Sequence, residues 1–259
     1  MKKRIRMMIL LILIAILAVS GMIFMSGMMD ISKAGQEAKT IRQIVNETAN
    51  GSGTNSVDWH KALQTLYGEN NDLVGYLQWD SGIISQPVVK GETNDTYLRK
   101  SFYGKYSTTG TVFLDSNMSM DDQNFVIYGH NVYVDHSAMF TPLLTLEDQD
   151  KYEQNSTLAL YTLDGAKLYQ MIGIYEITYD EFQTAAYQDK YSFQRTEFYD
   201  DADAQTWIDY VKDHSMIQSL YEAHPGDKFM CLQLCKPYHH DTRVVVVCKQ
   251  YREFRWGEN

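Results

Sequence analysis

At 259 residues, with 44% hydrophobic content and only four prolines, the chain is long enough for one sizeable folded domain plus a tail, and nothing in it repeats. Four basic residues, Lys2, Lys3, Arg4 and Arg6, cluster at the start, and without them 19 basic residues face 33 acidic ones, a formal charge of −14. That surface argues against nucleic acid as a partner, and acidic runs such as 199–203 lack the glycine and spaced ligands of a calcium loop, so neither metal nor cofactor is expected.

After the basic cluster the chain is apolar from Met7 to about Met25, broken only by Ser20 and Gly21. About 20 such residues suffice to span a bilayer, whereas a cleaved signal peptide has a shorter core of about 7–15. Basic residues on its N-terminal side put that end in the cytoplasm and the rest of the chain outside. The expected division is a cytoplasmic tail over 1–6, a membrane anchor over 7–26, a helical extension over 27–71 and a catalytic β-barrel domain over 72–259. Within the extension, 30–50 is helical with Ile41, Ile44 and Val45 on one side, 51–56 (Gly-Ser-Gly-Thr-Asn-Ser) is a flexible break, and 58–67 is a second helix with Trp59, Leu63 and Leu66 as its apolar face.

Strands are expected at 74–78, 86–90, 111–114 and 125–128, the last running into Gly129-His130-Asn131. A helix is expected over 137–146 from the spacing of Met139, Phe140, Leu143 and Leu144. Strands over 158–162 and 167–177 flank Asp164-Gly165, a hairpin signal. The stretch 178–227 is too long for a plain connection, and 203–220 supplies it with a helix whose face carries Trp207, Ile208, Val211 and Ile217.

The stretch 228–250 holds two strand-like runs around the polar segment 237–241. Val244 to Val247 is β-branched throughout, as suits a strand buried on both faces. Cys235 thus ends one strand and Arg243 opens the next, which sets a thiol beside a fixed positive charge; His130, at another strand end, is the candidate base. Taken singly, a cysteine in an apolar strand is usually a small hydrophobe and a histidine at a strand end a surface group. Cys231 and Cys235 would lie about 13 Å apart along one strand, beyond disulfide reach. An unpaired thiol outside a cell that serves no function is a liability, which favours a working role for Cys235. His136, His239 and His240 sit in polar segments and are expected to be solvated.

The order Tyr-Gly-His-Asn at 128–131, Leu-Gln-Leu-Cys at 232–235 and Thr-Arg-Val-Val-Val-Val at 242–247 resembles the sortases, over roughly 72–249. The family pattern is a His after a strand, a Thr-Leu-x-Thr-Cys strand and an Arg on the next strand. The helix inside 178–227 and the N-terminal helical pair resemble class B. The resemblance implies a mainly β fold, an eight-stranded mixed barrel with peripheral helices, and carries catalytic roles onto His130, Cys235 and Arg243. Cys231 and Leu234 stand where the family usually has Thr, and Gln233 fills the variable place. Gln233, Leu234, Asn131 and Tyr128 are the expected substrate-binding residues.

What this implies is a cysteine transpeptidase in the plasma membrane of a Gram-positive cell. It would cleave the sorting signal of a secreted protein through a thioester and pass the acyl group to an amine of a cell-wall precursor or a pilin. A secreted Cys/His peptidase using water is the competing reading, although papain-like and cell-wall amidase families place Cys before His. A catalytically silent assembly module is a third reading, but it predicts that at least one of the three residues would be lost, and all three are present.

Overall fold

The computed structural model describes residues 2–49, 58–132, 134–236 and 239–257, with His239 and His240 in backbone only. The expected break at 51–56 and the expected solvation of His239 and His240 lie outside the described residues.

Eight strands form a closed barrel: β1 (Leu73–Trp79), β2 (Ser85–Val89), β3 (Phe113–Leu114), β4 (Asn124–Tyr128), β5 (Thr157–Tyr161), β6 (Gly165–Thr178), β7 (Phe229–Lys236) and β8 (His239–Arg255). Around the barrel the order is β1-β2-β3-β4-β7-β8-β6-β5. The β2–β3 and β4–β7 pairs are parallel and the others antiparallel, so the sheet is mixed as expected. Side chains alternate along each strand. Leu232, Leu234, Val244 and Val246 take the interior, while Phe229, Cys231 and Val247 face outward under a helical layer; that double cover is why Val244 to Val247 are fully buried.

Helices surround the barrel: α1 (Lys2–Ala49), α2 (Trp59–Glu69), α3 (Gln149–Gln154), α4 (Tyr179–Phe182), α5 (Ala185–Lys190) and α6 (Asp201–His214). The helix α6 lies on the outer face, with Trp207 5.0 Å from the Phe229 ring. A Cβ on Gly173 would come within 2.9 Å of the Val211 side chain, so a glycine lets α6 sit down on β6. The helix stops at His214 rather than Leu220 because the chain then bonds to the edge of β6: Met216 N donates to Ile174 O at 2.8 Å, and Ile217 is buried from beyond the helix end.

Two expected helices come out differently. The anchor and the 30–50 helix are one uninterrupted α1, with the polar step between them absorbed as Ser26 Oγ donates to the Ile23 carbonyl at 2.8 Å. Among the described residues α1 is the one helix long and apolar enough to cross a membrane, with an 18-residue window of mean hydropathy 2.9 of which none is buried. Its C-terminal part docks on the barrel, where Ile41 and Val45 share a core with Leu63 and Leu66 of α2, Tyr76 of β1, Val89 of β2 and Phe113 of β3. The helix expected over 137–146 is instead a turn followed by a 3-10 helix at Thr141–Glu147. Asp135 accepts from Ser137 N and Oγ at 3.0 and 2.7 Å, and Met139 has φ 51°, which together hold 135–140 out of helical conformation.

The Asp164-Gly165 hairpin forms, but Gly165 serves close approach rather than a left-handed turn. A Cβ there would lie 2.0 Å from the Phe254 carbonyl oxygen of β8, and the reversal is held by Thr162, whose amide donates to Gly165 O at 2.8 Å.

Candidate active site

Two ladders assemble the site. In the parallel pair, Tyr128 of β4 stands opposite Gln233 of β7, and Gly129 N extends the ladder by donating to Gln233 O at 3.1 Å. The chain beyond β4 therefore runs alongside the end of β7, so His130 arrives beside Cys235, and Asn131 Nδ2 donates to the Cys235 carbonyl at 3.0 Å. In the antiparallel pair, Cys235 of β7 stands directly opposite Arg243 of β8, and cross-strand partners project to the same side. Residues more than 100 positions apart in the chain thus meet at one end of the barrel.

The three thiols are chemically distinct. Burial pushes Cys231 well above the usual thiol range, the nearby Cys248 adding to it, and its S–H donates to Asn124 Oδ1 at 3.4 Å. Cys248 is pushed up by burial alone. Both are held as neutral thiols, which are poor nucleophiles. Cys235, near the end of β7, is only half-buried. Arg243 beside it is half-buried too.

The backbone at His130 is fixed by Phe140. The ring of Phe140 packs where a Gly129 Cβ would stand, 2.4 Å away, and Phe140 N donates to the His130 carbonyl at 3.2 Å. Gly129 thus admits a side chain of the same domain. His130 Nε2 is buried without a hydrogen-bond partner. Burial depresses the His130 pKa, the Arg99 guanidinium depresses it further, and the Leu98 carbonyl opposes both. A neutral imidazole has one ring nitrogen with a lone pair available for a proton.

The expected substrate-binding residues separate. Gln233 is half-buried on the same face of β7 as Cys235. Tyr128 is also half-buried, and its hydroxyl donates to Asp115 Oδ2 at 2.9 Å while accepting from Gln194 Nε2 at 2.7 Å. Asn131 is 8% exposed and committed to the Cys235 carbonyl, so it positions the strand end. The expectation for Leu234 is corrected: it is fully buried on the interior face of β7 and packs in the core. Sequence reasoning missed Leu98, Arg99 and Gln194. The first two lie in 94–106, which reads as a short helical turn and loop, and Gln194 comes from the long connection after β6, 66 residues from Tyr128, with no local signal. Asp115 ends the apolar run Val112-Phe113-Leu114, an acid at a strand end that periodicity alone would have flagged. Among the described residues no three His, Cys, Asp or Glu side chains converge as a metal site would require.

Comparison with known proteins agrees with this geometry. The model of the sortase domain matches residues 79–251. Sortase B of Staphylococcus aureus is 28% identical over 191 residues, covering 72% of this chain and 73% of that protein. Sortase B of Listeria monocytogenes is 26% identical over 190 residues, covering 71% and 72%. Crystal structures share the fold: S. aureus sortase B at TM-score 0.71 and 24% identity over 85% of this chain and 99% of that one, and Clostridium perfringens sortase B at 0.64 and 23% over 73% and 99%. The matched stretch runs from the end of β1 into β8 and takes in both ladders that assemble the site, so the chain belongs to the sortase family of cysteine transpeptidases and is sortase B-like.

Proposed function

We propose that this transpeptidase is anchored by α1 with its barrel outside the cell, and that it joins secreted proteins bearing a C-terminal sorting signal to an amine of a cell-wall precursor or a pilin. The Cys235 sulfur attacks the scissile carbonyl, and His130 takes the thiol proton and passes it to the departing amine, leaving a thioester. Arg243 faces the carbonyl oxygen as it gains charge; such preorganised donors typically contribute about 3–4 kcal/mol. The acceptor amine then attacks the thioester, gives up its proton to His130, and releases Cys235 as the new amide forms. Lys2, Lys3, Arg4 and Arg6 before the apolar run of α1 support the orientation.

The observation that carries this reading is the register Cys235↔Arg243, with His130 delivered to the same barrel end by the β4–β7 ladder. Incubation of the full chain with sorting-signal peptides, with and without an amine acceptor, tests it. Mass spectrometry should find an acyl adduct on Cys235, persisting in Cys231→Ala and Cys248→Ala and lost in Cys235→Ala. An adduct on either buried cysteine would sink the assignment. Hydrolysis unaffected by added amine would make the protein a peptidase.

A further inference from the structure

The residue after the nucleophile is a lysine, Lys236, the last residue of β7. A lysine amine stands on a flexible four-carbon stem, and consecutive Cα atoms lie about 3.8 Å apart, so this amine is within reach of an acyl group carried on the Cys235 sulfur. That is a hazard peculiar to a transpeptidase, whose thioester exists to be opened by an amine. Strand alternation alone does not separate the two side chains. Cys235 stands opposite Arg243, but Lys236 pairs with His239 rather than Thr242, so the ladder shifts register between them. Irregularities of this kind re-aim side chains and interrupt the alternation of faces.

What fixes Lys236 is Glu176 of β6: Lys236 Nζ donates to Glu176 Oε1 in an ion pair. Since β8 lies between β7 and β6, the pair reaches across a whole strand. Its side of the wall is set by register. Glu176 stands opposite Val244, and Val244 opposite Leu234, which places the carboxylate on the interior face; Cys235, Arg243 and Ile177 share the other. The amine is thus drawn to the face that the sulfur does not use, and an ammonium has no lone pair with which to attack. The two side chains are 28% and 30% exposed, so burial does not lock the lysine and the pair itself holds it. We propose that Glu176 is a positioning residue that guards the thioester: by holding Lys236 on the interior face, it keeps the enzyme from accepting its own cargo. The step it prevents is an S-to-N acyl transfer. The released amine nitrogen would attack the thioester carbonyl, and the N–C bond would form as the C–S bond breaks. The nitrogen's proton would pass to the departing thiolate, which leaves Cys235 a free thiol and the acyl group fixed to Lys236 as an amide. Each such event would leave one cargo protein bound to the enzyme.

The inference rests on Cys235 as the acyl carrier, so the test makes the thioester chemically and leaves the sorting signal out. Phenyl thioacetate acetylates a thiol by exchange, with thiophenol as the leaving group. Full-length protein in detergent micelles is treated with it, then digested and mapped by mass spectrometry before and after hydroxylamine, which opens thioesters and spares amides. Wild type should carry acetyl on Cys235, removed by hydroxylamine. The isosteric Glu176→Gln should also gather hydroxylamine-stable acetyl on Lys236, at least about tenfold above wild type, since an amine in the same chain reacts as an intramolecular group. The double variant Glu176→Gln, Cys235→Ala should lack it, because the group arrives by way of the sulfur. Lys236 unmodified in Glu176→Gln, modified equally in wild type, or modified without Cys235 overturns the inference. Sorting-signal peptides that leave Cys235 unmodified, while Lys236 gains acetyl in Glu176→Gln, uphold the guard and overturn the function proposed above.

Discussion

At the scale of single residues, the site separates groups that look alike in the sequence. Three cysteines lie within eighteen positions, yet two are sealed as neutral thiols and one stands at a barrel mouth opposite a guanidinium. If Arg243 acts on the developing oxyanion, its planar fork matters as well as its charge. Arg243→Lys should then cost at least about tenfold in kcat/KM although the charge survives, since a lost preorganised donor is worth more than that. Steady-state rates with a sorting-signal peptide decide it, and a loss under about threefold would leave Arg243 as a strand-end residue only. Cys235 and His130 were legible as strand-end residues before the fold was known, whereas Arg243, expected to open its strand, lies four residues inside β8, which already begins at His239. Less visible was what surrounds them. Asn131 reads as part of a motif, but its amide is spent on the Cys235 carbonyl, and Leu234, next to the nucleophile in sequence, belongs to the core. Nothing in a one-dimensional pattern brings Gln194 to the Tyr128 hydroxyl 66 positions away.

At the scale of elements, the placement of His130 depends on a close fit between Gly129 and Phe140. Any Cβ at Gly129 would collide with the ring at 2.4 Å. Gly129→Ala should therefore destabilise the domain by about 1–3 kcal/mol, as overpacking usually does. Since 1 kcal/mol corresponds to about 2–4 °C in a domain of this size, thermal unfolding should show a clear drop. Pairing it with Phe140→Leu should restore part of both Tm and activity. A variant as stable and active as wild type would mean that the ring moves aside freely. Periodicity located the strands to within a few residues, including the buried valines of β8 and the hairpin at Asp164-Gly165. It could not pair β4 with β7, because a parallel ladder between segments a hundred residues apart leaves no local trace. The short α3, α4 and α5 went unseen for a different reason: with four to six residues each they show less than two turns of any pattern. Over 137–146 the apolar spacing was real but served a turn and a 3-10 helix, since an Asp135 side-chain bond and the backbone of Met139 decided the local conformation.

At the scale of the whole molecule, α1 joins two environments. Its first half is apolar and uncovered, and its last turns complete the core that anchors the 97–111 hairpin, closed by Thr111 N donating to Tyr97 O at 3.1 Å, through Tyr97 and Phe102. Ile41→Ala should thus lower stability by about 2–5 kcal/mol, in line with large-to-small core changes. It should also speed hydrogen exchange across 97–111, a region that residue 41 does not adjoin in sequence. Exchange unchanged in that hairpin would show that its anchoring is independent of α1. The closure of the barrel carries a different consequence. A sheet with a free margin can capture an extended peptide by strand addition, reading its main chain with little regard for side chains. Here β4 and β7 each have a paired neighbour on both sides, and the shortest link in the barrel, β2 to β3, is a single parallel step at Val89 and Phe113. A polypeptide lying along β4 and β7 must therefore rest on the outer face of the wall. Discrimination between cargoes falls to the side chains and connections that rise around that face, so two such barrels of identical strand order can choose different cargo without altering a single backbone pairing.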